Sequence, residues 1–589
     1  MQQLYQLDRI MNPNEGAKIQ TKLRVVSQNV TEIDIEIQFS AFCVPQPIVF
    51  CFQTPCVDLF SIWGTGLRMR QYLGADWGKI GSSSCLSSGA PLHALLAQNG
   101  ENRMCFALSD AKTPCKLSSG VNEETALLFT ELQLFKAPIA PIDHYHAILR
   151  IDTTHEPFDQ TVKRVEKWWG SECGYPAASI PVSARDPMYS TWYSFHHTFT
   201  ADKIAEQCRM AKALGMEAVI VDAGWEMEDD FRTFAYCGDW EYARNKFPNM
   251  REFADRIHKI GMKVLFWFSV PFVGARSKAY KRFADMILGI HEGEGENACY
   301  RLDPRYPEVR SYLVDIYRNA MLEWGIDGFK LDFIDSFKLS AETPQSDPRR
   351  DIVSLEDAVD ALLAEVTSAL RAINPDVLIE FRQTYTGPVI RKYGNLFRVF
   401  DCPNDPLLNR FAMGEMRTMM GNAVVHSDML MWHTEEPPEA VARQLLATLF
   451  MVPQISVLIE TLPKPHYTVL QNYLALWKAN REVLLEGEFR AYDPVAHYSL
   501  MSAEKDGILI AAAYIDTPLQ IAKSYDKICL FNATGKQCLA LRYEGQTAAY
   551  TMRVYNCLGE QILEQASILT AGIYDLSVPD GGRVELQKS

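Results

Sequence analysis

Between Met188 and Glu460 short apolar runs alternate with amphipathic stretches, and no other feature of the chain restricts its fold as much. A β-rich run followed by a helix-period run is a βα unit, and successive units lay their strands parallel in one sheet. Eight runs qualify as strands: Tyr189–Ser194, Ala218–Asp222, Lys263–Ser269, Gly328–Phe333, Val377–Arg382, Leu396–Asp401, Ala423–Asp428 and Gln454–Glu460. Helices are expected between most of them. Ala201–Leu214 carries Ile204, Ala205, Cys208, Ala211 and Leu214 at near-helical spacing and stops at Gly215. Met250–Ile260 stops at Gly261, Pro307–Trp324 at Gly325, and Ser354–Ile373 at Asn374-Pro375. Eight units across roughly 290 residues predict a closed (β/α)8 barrel, placed at residues 175–483. The longer gaps Val270–Met286 and Ser336–Ile352 leave room for substrate-shaping loops.

The flanks have another texture. Lys22–Gln28, Glu32–Phe39, Ile48–Phe52 and Ala147–Ile151 are short β-rich runs between Gly, Pro, Asn and Ser clusters, so residues 1–165 read as an N-terminal β-sandwich domain. Gly81–Gly89, G-S-S-S-C-L-S-S-G, reads as a loop, as does Ala137–Pro141. Gln160–Trp169 reads as a helix leading into a proline-bearing linker. Ile508–Tyr514, Lys527–Phe531, Tyr550–Tyr555 and Arg583–Leu586 return to β texture, which makes residues 484–589 a small C-terminal β-sandwich.

Composition narrows the function. Net charge is −15, from 58 basic and 73 acidic residues, which disfavours nucleic acid and anionic membranes as partners. The start, M-Q-Q-L-Y-Q-L-D-R-I, has no basic region leading into an apolar core, and no run is long and apolar enough for a membrane helix. The 14 cysteines show neither C-x-x-C pairs nor zinc spacing, so a reduced cytoplasmic protein is expected, without a metal or nucleotide cofactor. His196-His197 and His144/His146 lack ligand spacing and read as loop or packing residues.

The chemistry gathers where barrel strands end, which is where such barrels place it. In G-F-K-L-D-F, Lys330 and Asp332 are two residues apart and share one strand face; Phe329, Leu331 and Phe333 take the other. A charged pair in an apolar strand is costly unless used, and the ammonium is expected to hold Asp332 ionised. Strand one ends with Trp192, Tyr193 and His196, strand two with Asp222 and then Trp225, strand three with Trp267 and Ser269. Strand five supplies Glu380 and Arg382, strand six Arg398 and Asp401 followed by Asp405, strand seven His426 and Asp428. Indoles stack on the apolar faces of a sugar, and carboxylates and cations take its hydroxyls. Asp332 and Asp401 lie two strands apart, so their backbones are roughly 10 Å apart at about 4.8 Å per strand. Side chains leaning inward then approach the separation of a retaining glycosidase, about 5–5.5 Å.

The chain resembles glycoside hydrolase family 36, mostly α-galactosidases, in the clan that also holds family 27. The resemblance spans essentially the whole length. It rests on V-I-V-D-A-G-W at Val219, G-D-W-E at Gly238, K-F-P-N-M at Lys246, G-M-K-V-L-F-W-F at Gly261, P-E-V-R and K-L-D between Leu302 and Asp332, R-V-F-D-C-P-N-D at Arg398 and H-S-D-M-L at His426. G-A-D-W-G at Gly74 and N-R-x-x-F-A-L-S-D at Asn102 are similar too. The resemblance implies that Asp332 is the nucleophile and Asp401 the acid/base. It also implies that Lys330 and Asp222 bind sugar hydroxyls, that Trp192 is the first-strand aromatic, and that Arg398 and Asp428 are the arginine near the acid/base and the seventh-strand aspartate. Two departures stand out. The family usually has two adjacent aspartates on strand two, gripping the O4 and O6 edge of galactose, and here the second is Ala223. The Cys- and Gly-rich element of strand five is replaced by Glu380–Gly387, E-F-R-Q-T-Y-T-G, with Arg382.

The expectation is a retaining exo-α-glycosidase, an α-galactosidase in the first instance, working through a covalent glycosyl-aspartate on a glycoside or oligosaccharide. The charge on Asp332 is expected to keep the proton of Asp401 on. An α-N-acetylgalactosaminidase or other α-glycosidase of the clan, a transglycosylase on raffinose-type sugars, and a non-catalytic carbohydrate-binding protein are the alternatives. The resemblance also brings a homo-oligomer into view.

Overall fold

A computed structural model describes residues 5–340, 342–344, 346–382 and 384–589. Gln383 of the strand-five stretch and the first four residues of the N-terminal reading lie outside the described residues. Eight parallel strands close into a barrel in sequence order, the first pairing with the last as well as with the second. They are Met188–Ser190, Ala218–Val221, Lys263–Ser269, Gly328–Asp332, Leu378–Arg382, Leu396–Arg398, Val424–Leu430 and Val452–Ile455, here strands one to eight.

All eight expected strands are present, with ends that differ for local reasons. Strand one stops at Ser190, and Trp192–Phe195 winds into a helical turn whose Tyr193 and Ser194 N–H groups donate to Ser456 Oγ. Strand six stops at Arg398, three residues before Asp401. Strand eight runs from Val452 and ends at Ile455, where Ser456 turns away and its hydroxyl donates to Ser190 C=O on strand one. The Met250–Ile260 helix is as expected, with an Asn249 side chain accepting from Glu252 N–H at its start and Gly261 in a left-handed conformation at its end. Pro307–Trp324 is α-helix to Asn319 and then one π turn into Gly325.

The gap after strand three holds a three-stranded sheet, Phe272–Gly274, Ile287–Glu292 and Cys299–Leu302, whose edge reaches the barrel mouth at Glu292. The second long gap buttresses that sheet: Ser340 and Thr343 hydroxyls both donate to Leu288 C=O at 2.5 Å.

The N-terminal part forms a five-stranded and a six-stranded antiparallel sheet around an apolar core that includes Ile35, Phe50, Phe106 and Leu149. The Gly81–Gly89 loop is corrected here: Ile80–Ser84 is a strand paired with Cys115–Ser119. A side chain at Gly81 would stand 2.1 Å from Leu117 C=O, so the residue that suggested a loop is one the close strand approach requires. The C-terminal part is a seven-stranded sheet facing a three-stranded one over Leu530, Leu541, Tyr550 and Val584. No helix among the described residues is long and apolar enough to cross a membrane.

Candidate active site

Strand register builds the site in layers. Trp267 pairs with Lys330, and Lys330 with Glu380, which makes one level. Ser269 pairs with Asp332, and Arg382 with Arg398, which puts Asp332, Arg382 and Arg398 on the next level up. Alternation turns these side chains inward, and a cavity of about 240 Å³ opens above them. Its walls include Trp192, Asp222, Ala223, Trp267, Lys330, Asp332, Arg382, Arg398 and Asp401.

Every polar atom of Asp332 is held. Its Oδ2 accepts from the Trp267 indole N–H at 2.9 Å. Its Oδ1 accepts from Phe333 N–H at 2.8 Å and lies 2.6 Å from Arg382 Nε. The side chain is 5% exposed, so one edge of a fixed carboxylate faces the cavity. Lys330 is not its counter-ion, contrary to the expectation: the ammonium donates to Asp222 Oδ2 at 2.6 Å. Arg382, the strand-five departure from the family pattern, takes that place and stacks 4.5 Å over Phe333. Phe333 is not on the outer face either. Its φ of +62° ends the strand and swings the ring to the cavity wall.

Asp401 stands beyond the end of strand six and is 42% exposed at its side chain. Arg398 Nη2 donates to its Oδ1 at 2.9 Å, and Arg382 Nη1 lies 3.9 Å from its Oδ2. One guanidinium thus reaches both carboxylates, and with C–N bonds of about 1.33 Å the oxygens it touches are no more than about 9 Å apart. Burial works to raise the Asp401 carboxyl, but Arg398, Lys330 and Arg382 outweigh it and hold it down at about 2. The expectation that Asp401 keeps its proton is therefore reversed in the free site: three cations outweigh burial.

Three sequence-derived sugar contacts lie away from the cavity wall. Trp225 is fully buried behind it, its indole N–H donating to Trp267 C=O at 2.9 Å and its ring packed on Trp240, Phe268 and Trp324. Asp405 caps the Pro406–Met419 helix by accepting from Leu408 N–H at 2.9 Å. Asp428 is wholly buried and accepts from Arg398, from Tyr193 O–H at 3.0 Å and from Cys402 N–H at 2.6 Å. It orients Arg398 and the loop that carries Asp401. Glu380 likewise lies inside the barrel, its carboxyl raised by burial and bound to Gln454.

The wall also holds His197, Arg232, Thr233, Phe234 and Glu292, which sequence reasoning did not select. They sit on the long excursions after strands one to three, where no strand-end rule points to them. His197 has a traceable cause: Gly224, at φ +106°, lets the Asp222–Trp225 turn pass 2.8 Å from its Cα, measured to where a side chain would begin.

Residues 181–384 match the family model described as Melibiase. The α-galactosidase AgaA of Geobacillus stearothermophilus is 27% identical over 208 residues, 33% of this chain and 27% of that protein. The α-galactosidase Mel36A of Lactobacillus acidophilus is 28% identical over 158 residues, 26% of this chain and 20% of that protein. The aligned part thus spans about a quarter of the length of these curated relatives or less. By fold, crystal structures of the family 36 enzyme AgaA from Geobacillus stearothermophilus superpose along nearly the whole chain. The complex with 1-deoxygalactonojirimycin gives a TM-score of 0.66 at 14% identity, covering 98% of this chain and 82% of that one. The complex with raffinose gives 0.64 at 15% identity, covering 98% and 82%. The chain thus matches the Melibiase family model through its first five barrel strands and shares the fold of these family 36 structures along nearly its whole length.

Proposed function

We propose that the chain is a retaining exo-α-galactosidase. Asp332 attacks the anomeric carbon and forms a glycosyl-aspartate; Asp401 assists departure of the aglycone oxygen and then activates the water that releases the sugar. The observation that carries this reading is the convergence of both carboxylates on one cavity beside the Trp192 and Trp267 indoles, within reach of one guanidinium. A nucleophile must be held in place, and Trp267, Phe333 N–H and Arg382 hold Asp332 through its two carboxylate oxygens.

Asp222 and Lys330 form a buried polar pair whose remaining lone pairs and protons suit sugar hydroxyls. Ala223 places a methyl group where a second carboxylate would grip the sugar, so the pocket also suits a substituted galactoside. Asp401, ionised in the free site, is ready for the second step. For the first it takes its proton only once substrate fills the cavity and loosens the Arg382 contact. The 14 cysteines are all unpaired, which fits a reducing, cytoplasmic setting.

The test is a panel of aryl α-glycosides on purified protein, with raffinose beside it. Release from the α-galactoside, with retention of anomeric configuration in the first-formed sugar, supports the reading. Activity on another α-glycoside alone overturns the glycone assignment, and an inverted product overturns the mechanism.

A further inference from the structure

A second charged basin lies at the opposite end of the barrel, where strand seven begins. Its cavity, about 410 Å³, opens between the Phe158–Ser171 helix, the end of the Pro406–Met419 helix and the first strand of the C-terminal sheet, Glu488–Tyr492. Lys163, Lys167, Arg185 and Arg417 line it.

Arg417 is 9% exposed. Its Nη1 and Nη2 donate to Leu485 and Leu484 C=O at 3.1 and 3.2 Å, and its guanidinium carbon lies 5.1 Å from the centre of the Phe489 ring. Its Nε has no partner, and among the described residues no carboxylate forms an ion pair with it. Burial alone pulls its pKa down to about 10. Lys163 gives its ammonium to Phe489 C=O at 2.5 Å and stands 3.9 Å from Asp159, which Arg490 already holds at 2.6 Å. Lys167 forms no ion pair among the described residues and is exposed.

Among the described residues, the lining carboxylates form no ion pair with Arg417, Lys163 or Lys167. Glu166 is taken by Arg391 at 2.6 Å, and Glu486 by Lys505 and Arg185 at 3.1 and 3.7 Å. Glu488 is left, exposed, on the rim. A buried guanidinium without a counter-charge is unfavourable unless something supplies one. The guanidinium N–H groups not given to Leu484 and Leu485, backed by two ammonium groups, suit a tetrahedral dianion.

We propose that this junction binds a phosphate-class anion, inorganic phosphate or the phosphate of a hexose ester, on Arg417, Lys163 and Lys167. The cavity is larger than a bare phosphate fills and lies in the size range of small-molecule sites, roughly 300–1,000 Å³. The occupant ties together three separate parts of the chain, so binding is expected to raise the melting temperature.

The full-length protein is titrated by calorimetry and thermal shift with sodium phosphate, with glucose 6-phosphate, and with sodium chloride at matched ionic strength. Saturable binding and a higher Tm with a phosphate, absent with chloride, are expected, and the tighter of the two names the source. The Lys163→Gln/Lys167→Gln variant is expected to bind roughly tenfold more weakly or worse while hydrolysing substrate as before. It leaves Arg417 and its helix contacts in place, so it reports on binding even where Arg417→Gln does not fold. An equal shift with chloride, or unaltered binding by the lysine variant, overturns the proposal.

Discussion

Arg382 stands between the two carboxylates, 2.6 Å from Asp332 and 3.9 Å from Asp401, and most of the site's electrostatics follow from that position. Burial opposes its charge, and the Asp332 carboxylate more than restores it. Removing it as Arg382→Ala is expected to let the Asp401 carboxyl rise, since one of the three cations holding it down is gone. Rates on poor leaving groups such as raffinose are then expected to fall less than rates on activated aryl glycosides. A uniform fall across both would separate Arg382 from the protonation of Asp401. Asp401→Asn is expected to cost poor leaving groups far more than activated ones, and equal losses would remove its acid role. At this scale the sequence was legible in part. The paired acids and most of the cavity wall could be read from strand ends. Which cation served which carboxylate could not, because the Lys330–Asp222 pair joins residues 108 apart in sequence that only the closed barrel brings together.

At the scale of elements, the site depends on how strands end. Phe333 and Gly224 both take positive φ directly after site-bearing residues, which turns the chain sharply away from Asp332 and Asp222. Gly224→Ala meets two obstacles: φ of +106° disfavours any side chain, and the added carbon would stand 2.8 Å from His197 Cα. The expected cost is about 1–3 kcal/mol of stability, together with a raised KM as Asp222 moves. Urea unfolding and steady-state kinetics read the two effects, and an unaltered KM would show that the turn does not position Asp222. The strand count was legible because apolar runs and glycine stops mark βα units. Strand ends were less so, since Ser456 and Ser194 settle where strand one stops through contacts far apart in sequence.

For the whole molecule, four buried titratable groups contribute to the pH dependence of stability near neutral pH. His93 and His426 are held down to about 3 and about 4 by burial. Their contribution is present above the ordinary histidine value of 6.5 and is lost as pH falls. Glu226 and Glu415 are raised by burial to about 7 and about 8. Their contribution is present below the ordinary value of 4.5 and is lost as pH rises toward those values. The two trends oppose between 4.5 and 6.5, so denaturant midpoints are expected to be flat there and to fall on either side. A midpoint still climbing from neutral pH to 8 would contradict this balance. Such pairs escape sequence reasoning, since nothing in the bare chain tells a buried glutamate from a solvated one. In the proposed mechanism the flanking sheets, the barrel and the cavity serve one chemical event, the bond between a sugar and Asp332. The direct measurement is peptide mapping by mass spectrometry of Asp401→Asn quenched during turnover of an activated aryl α-galactoside. A hexosyl residue on the peptide carrying Asp332 is the predicted result. Turnover by the unaltered protein with no such adduct, or an adduct on another residue, would contradict the account.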